Sequence, residues 1–145
     1  MTRINCIMPG ALSTKHLVAE YRELPRIFSL AIDAYHDRAE EHDDPRNPTS
    51  YVLGTGHCRF FYNKLAYLRD RYVMLCDEMH IRGYVVNFPR PTGLVDAEKY
   101  LPGCWWGNWE PDYDARFLNR SRLHERDPDF YPQPVYVAVG DQNNG

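Results

Sequence analysis

The sequence predicts a mainly α protein: a single compact domain of about three helices joined by long irregular connections. Two apolar stripes recur at three- and four-residue steps, one beginning near residue 14 and one near residue 56, the period of helices that bury one face. A third, shorter helix is expected after Pro111, and 145 residues are enough to bury one core without staples.

Ser13 or Thr14 caps the first helix, whose stripe is Leu17, Val18, Tyr21, Leu24, Phe28, Ala31 and Ile32. Pro25 falls inside that pattern and must kink or divide the helix near Leu24. The acidic run DRAEEHDDPRNP, closed by Pro45 and Pro48, reads as a solvated helix end and loop. The second helix runs from about Gly56 through Arg82, with Phe60, Phe61, Leu65, Leu68, Tyr72, Leu75, Cys76 and Met79 on one stripe. Gly83 is its stop. Residues 84–110, rich in Pro, Gly and Trp, are expected to be irregular, with a short extended piece at Tyr84–Phe88. The third helix runs toward Arg126 with Phe117, Leu118 and Leu123 facing inward, and the tail holds three prolines before a short Val/Tyr alternation.

No apolar run approaches the roughly 20 residues of a membrane helix. The opening MTRINCIMPG lacks the basic stretch and apolar block of a signal peptide. Cys6, Cys58, Cys76 and Cys104 form no CxxC pair, so reduced thiols in a cytoplasmic protein are expected, without zinc. The formal net charge of −3 argues against a globally basic nucleic-acid binder, but it hides blocks of opposite sign. Residues 1–26 are +2, 33–44 are −5 with six acids against Arg38, and 45–90 are +4 with seven bases against three acids. Arginine outnumbers lysine 14 to 3, a bias toward bidentate phosphate contacts. The positive blocks are expected to converge on one surface, with the acidic block turned away.

Chemistry concentrates in HLVAEYRELPR, residues 16–26, where helical spacing brings His16, Glu20 and Glu23 near one another and sets Arg22 and Arg26 four apart. Three readings stay open: a solvated face with ion pairs, a metal site of His16, Glu20 and His57, or a catalytic carboxylate among phosphate-binding arginines. Position 2 is the small residue Thr, so removal of Met1 would expose a Thr2 α-amine. Its pKa of roughly 7.7–8.0, lowered further by a cation such as Arg3, would make it a nucleophile for Schiff-base chemistry. Gly54 and Gly56 flank Thr55 just before His57. That pattern suits either a tight turn or a close backbone approach to phosphate.

Taken in order, MTRIN, HLVAEYRELPR, LGTGH and FFYNKLAYLR closely resemble the phage endonuclease V family of pyrimidine-dimer DNA glycosylases, with a weaker echo at GNWEP, residues 107–111. The resemblance implies a compact helical enzyme whose N-terminal segment lies among its helices. It also implies bifunctional glycosylase and abasic-site lyase activity on cyclobutane pyrimidine dimers, without metal or organic cofactor. Carried onto this chain, Thr2 and Glu23 are the catalytic pair. Arg3, Arg22 and Arg26 bind phosphates, and Lys15, His16, Tyr21 and His57 line the DNA. Arg122 and Arg126 stand for basic residues of the third helix. The expected partner is damaged double-stranded DNA met by a monomer, in the cytoplasm of a bacterial cell or phage-infected host. The chain departs from the family at Lys15, in the acidic segment 37–44, and in a tail that offers Phe130 and Tyr131 without the family's lysine. Those departures leave two alternatives: the same imine chemistry on another damaged or modified base, or a DNA-binding module without catalysis.

Overall fold

Pro25 lacks the N–H that a continuous helix needs, and the first amphipathic run divides there. The computed structural model describes residues 2–38 and 43–136; Met1, the middle of the acidic run (39–42) and the end of the Val/Tyr stretch with the tail (137–145) lie outside the described residues. Ser13 caps α1 (Thr14–Glu23), its Oγ accepting from the His16 N–H at 3.3 Å. α2 (Pro25–Arg38) begins on the proline, at the one turn where a missing N–H is harmless.

The second run keeps its expected stripe but not its continuity. It consists of a single turn, α3 (His57–Phe60), and a long helix, α4 (Leu65–Ile81). All eight stripe residues from Phe60 to Met79 are buried. Between the two helices the chain turns, and Lys64 pairs with Trp106 in an isolated antiparallel bridge. A Cβ on Gly107 would stand 2.5 Å from the Asn63 carbonyl oxygen, so only glycine permits this crossing. α4 ends as expected at Gly83, whose φ of 85° supports paired capping bonds from Gly83 N–H to His80 O and Tyr84 N–H to Met79 O.

Residues 84–110 correct the expectation of irregular chain. They contain α5 (Thr92–Tyr100) and a 3-10 turn at Gly103–Trp105, the second such turn after Pro9–Ala11, while Tyr84–Phe88 forms no strand. Leu94, Ala97 and Leu101 are the buried face. Gly93 lets α5 close on α2, since a Cβ there would lie 3.0 Å from the Pro25 carbonyl oxygen. Six α-helical segments rather than three thus occur among the described residues, and the protein is mainly helical.

The chain falls into two compact units, Met1–Glu110 and Pro111–Gly145. The second holds α6 (Tyr113–Arg126), capped by Asp112 through a 2.8 Å bond from the Ala115 N–H. Leu123 is buried as expected; Leu118 is exposed, and Ala115 and Asn119 complete the inner line. The chain after α6 returns along it. Tyr113 donates to the Val135 carbonyl at 3.1 Å, and Tyr136 meets the Tyr113 and Phe117 rings edge-on.

In the first unit, α1 and α4 are joined by charge inside the core. Arg71 Nε donates to Glu20 Oε2 at 2.8 Å and Nη2 to Oε1 at 3.0 Å, with both residues almost wholly buried. Glu20 therefore leaves the solvated face that helical spacing alone assigns it. The Asn5 carboxamide donates to Glu20 Oε1 at 2.8 Å, and Arg71 Nη1 donates to the Ile7 carbonyl. The pair thus grips the N-terminal segment as well as the two helices. Arg71→Met should strand a buried carboxylate and cost about 3–5 kcal/mol. Adding Glu20→Leu should recover part of that loss. Urea unfolding of the single and double variants checks it, and equal midpoints would refute the pairing as described.

Candidate active site

The last turn of α1 and the first of α2 bring Glu23 and Arg26 together. Arg26 Nη1 donates to Glu23 Oε2 at 3.1 Å, and the Thr2 hydroxyl donates to the same oxygen at 3.2 Å. Thr2 is 6% exposed, whereas the Glu23 side chain keeps 36% of its surface, so a buried threonine meets a half-open carboxylate. The Arg26 hydrogen bond holds the Glu23 carboxyl below its ordinary range against partial desolvation, and the Thr2 hydroxyl helps. Glu23 is therefore ionised at neutral pH and able to accept a proton.

Residues behind Thr2 are held by side chains. The Ile4 N–H donates to His57 Nε2 at 2.8 Å, and His57 Nδ1 lies 2.7 Å from the Val52 carbonyl oxygen. A ring nitrogen that accepts carries no proton, so Nδ1 bears it and donates to Val52. Burial, joined by the nearby Arg3 charge, pushes His57 below its ordinary range and keeps the ring neutral. Tyr51 donates to the Ile4 carbonyl at 2.8 Å, and burial raises its phenol far enough to keep it a donor. Gly54 and Gly56 have φ of 75° and 90°, and a Cβ on Gly56 would come within 2.9 Å of Pro48 Cγ. Of the two uses open to that motif, the turn serves to aim His57 inward.

His57 departs from its expected place against DNA: it is 3% exposed, with both ring nitrogens turned to the protein. Glu20 and His57 are committed to partners and do not assemble with His16 as a metal site. Among the described residues no group of three or more His, Cys, Asp or Glu could hold a metal ion. Lys15 and Arg22 are exposed on α1, and Arg3 and His16 are half-buried, His16 Nδ1 lying 3.1 Å from Ser13 Oγ. Tyr21 is half-buried and stacked on Tyr72 at 5.6 Å, its hydroxyl accepting from the Phe88 N–H at 3.4 Å. Arg122 belongs to the Pro111–Gly145 unit, 3.6 Å from Glu125.

The second positive charge block is largely ion-paired. Of the seven bases in 45–90, Arg46 and Arg59 turn to Asp44, Arg71 to Glu20, Arg82 to Glu78 and Arg90 to Glu98. Most bases of that block thus have an acidic partner, and Asp44 of the acidic block is among those partners. The cationic side chain on Glu23, Arg26, comes from the N-terminal block instead. Asn5, Tyr51 and Arg71 escaped the reading of the sequence. Arg71 alone carried a signal, a charge set between Leu68 and Leu75 on an apolar stripe.

Residues 1–92, more than half of the chain, match the family described as pyrimidine dimer DNA glycosylase. The chain belongs to that family, and is a DNA-repair glycosylase that acts on damaged DNA. No helix among the described residues is long and apolar enough to cross a membrane.

The His57 geometry sets a pH dependence of stability. Its folded pKa lies below the ordinary 6.5, so the unfolded chain takes up the extra proton as pH falls through that window. The stability due to neutral His57 is complete above about pH 6.5 and is lost below it. Urea midpoints at about pH 7.5 and pH 5 should separate in the native protein. They should separate less in His57→Gln, which keeps an acceptor but does not titrate; an equal separation would clear His57 of the effect.

Proposed function

We propose that this member of the pyrimidine dimer DNA glycosylase family is bifunctional, cutting the glycosidic bond of a cyclobutane pyrimidine dimer and then the strand through an imine on its own Thr2 α-amine. The supporting observation is the Thr2 hydroxyl 3.2 Å from the Glu23 carboxylate, with Arg26 on the same oxygen.

Removal of Met1 frees the Thr2 amine, whose lone pair attacks the sugar C1′. The C1′–N bond breaks and its electron pair leaves with the base, which takes up a proton. The sugar ring opens, O4′ is protonated, and an iminium forms between C1′ and Thr2. The iminium makes the C2′ hydrogen acidic, so one ionised carboxylate, Glu23, is base enough to remove it. Electrons then move to expel the 3′ phosphate by β-elimination, and water hydrolyses the imine to free the protein. Arg3, Arg22 and Arg26 bind the flanking phosphates and stabilise the developing charge. Arg26 is 59% exposed in its side chain and can reach DNA while holding Glu23. A dimer weakens local stacking, which lowers the cost of kinking the duplex and extruding a nucleotide.

Borohydride reduction in the presence of dimer-containing or abasic duplex tests this chemistry. Correctly processed protein should become linked to the strand, and a chain that retains Met1 should not. The absence of any adduct from processed protein rejects the mechanism. Glu23→Gln should bind DNA but lose strand cleavage by roughly 10²-fold or more; undiminished cleavage removes Glu23 from its role. Trapping should also slow as pH falls below about 7.7, because the protonated amine cannot attack. Glu23, held below its ordinary 4.5, stays ionised through that range.

A further inference from the structure

The Thr2–Glu23 contact stands beside a second set of hydrogen bonds to the same segment. A chain start frays unless it is tied down, and a reacting group displaced by about 1 Å loses up to roughly a hundredfold in rate. Thr2 is nonetheless 6% exposed and within hydrogen-bond distance of Glu23. One firm tie lies two residues on from Thr2. Both backbone polar groups of Ile4 are taken, the N–H by His57 Nε2 and the carbonyl by the Tyr51 hydroxyl, each at 2.8 Å. The Ile4 side chain is itself fully buried. The clamp is rigid on its far side too. The Tyr51 ring stacks on Trp109 at 5.8 Å and 10° and meets the edges of Phe60 and Phe61, while Val52 fixes the other His57 nitrogen.

We propose that Tyr51 and His57 are positioning residues for the reaction: by holding Ile4 from both sides they set where the Thr2 amine stands against Glu23. This rests on the imine chemistry proposed above. It assigns the pair a kinetic role distinct from holding the fold, since the Glu20–Arg71–Asn5 group already anchors the segment at Asn5 and Ile7. Loss of the Ile4 clamp leaves those anchors in place and loosens the chain only ahead of them, on the side of the amine.

Tyr51→Phe keeps the stacked ring and removes one hydroxyl, and His57→Leu removes the acceptor. His57→Gln, which keeps an acceptor, serves as the conservative rescue. Each variant, confirmed to start at Thr2, is tested by single-turnover borohydride trapping on an abasic duplex at saturating DNA. DNA affinity, unfolding midpoint and hydrogen exchange of the Ile4 amide are measured in parallel. Tyr51→Phe should speed Ile4 exchange and slow trapping by about tenfold at unchanged affinity. His57→Gln should lie closer to the native protein than His57→Leu. Faster Ile4 exchange with native trapping rates in Tyr51→Phe would overturn the proposal. So would a His57→Leu loss that only follows its folded fraction. If processed native protein gives no adduct while its Ile4 amide is protected, the imine reading fails and the kinetic role falls with it. Native adduct with undiminished variant trapping sinks the positioning role alone.

Discussion

Two opposite charges withdrawn from water cost several kcal/mol each unless their geometry and hydrogen bonding compensate. Around Glu20 and Arg71 the compensation is well developed. The guanidinium binds the carboxylate in a fork, Asn5 adds a third donor to the carboxylate, and Ile7 offers its carbonyl to the guanidinium. Of the four participants, two lie in the N-terminal segment. Ionic contact therefore does here what strand pairing does in a sheet: it gives an otherwise irregular stretch a unique place, between α1 and α4.

The other features are arranged around that placement. Pro25 ends α1 just after Glu23 and starts α2 just before Arg26, so the carboxylate stands at a helix junction with a cation one turn away. The 54–56 turn and the Trp109 stack bring His57 and Tyr51 to Ile4 from the opposite direction. Arg82 links the end of α4 to the 3-10 turn that follows the segment, donating to the carbonyls of Pro9 and Leu12 at 3.2 and 2.7 Å. Two arginines, Arg71 and Arg82, thus serve this internal tethering.

Periodicity revealed the helices whose apolar positions dominate their segment: the division at Pro25, the Phe60–Met79 stripe and the stop at Gly83. It concealed α5, because the flanking prolines, glycines and tryptophans obscured the spacing of Leu94, Ala97 and Leu101. It also ran α3 into α4. Phe60, Phe61 and Leu65 all face the core through the turn, and the break is defined by a pairing with Trp106 remote in sequence. At the site, Glu20 and Glu23 look equivalent by spacing, three residues apart on one helix. One is sealed and the other half-open, and the difference is made by Arg71, 51 residues further along the chain. Family resemblance distinguished Glu23, Thr2 and Arg26. It also set His57 against DNA, where the fold gives it an inward task.

The anchoring of residues 2–7 makes that segment a ruler. Each of its fixed points, Ile4, Asn5 and Ile7, answers to a partner on a different element. A non-helical chain advances by up to about 3.3–3.6 Å per residue. Removing or inserting one residue ahead of Ile4 would shift what precedes it by about that step, with the Ile4, Asn5 and Ile7 contacts still in place. A fault of length in the first three residues would thus leave a folded, stable protein whose leading group is displaced from Glu23. Changes of composition at exposed positions elsewhere would leave that distance as it is.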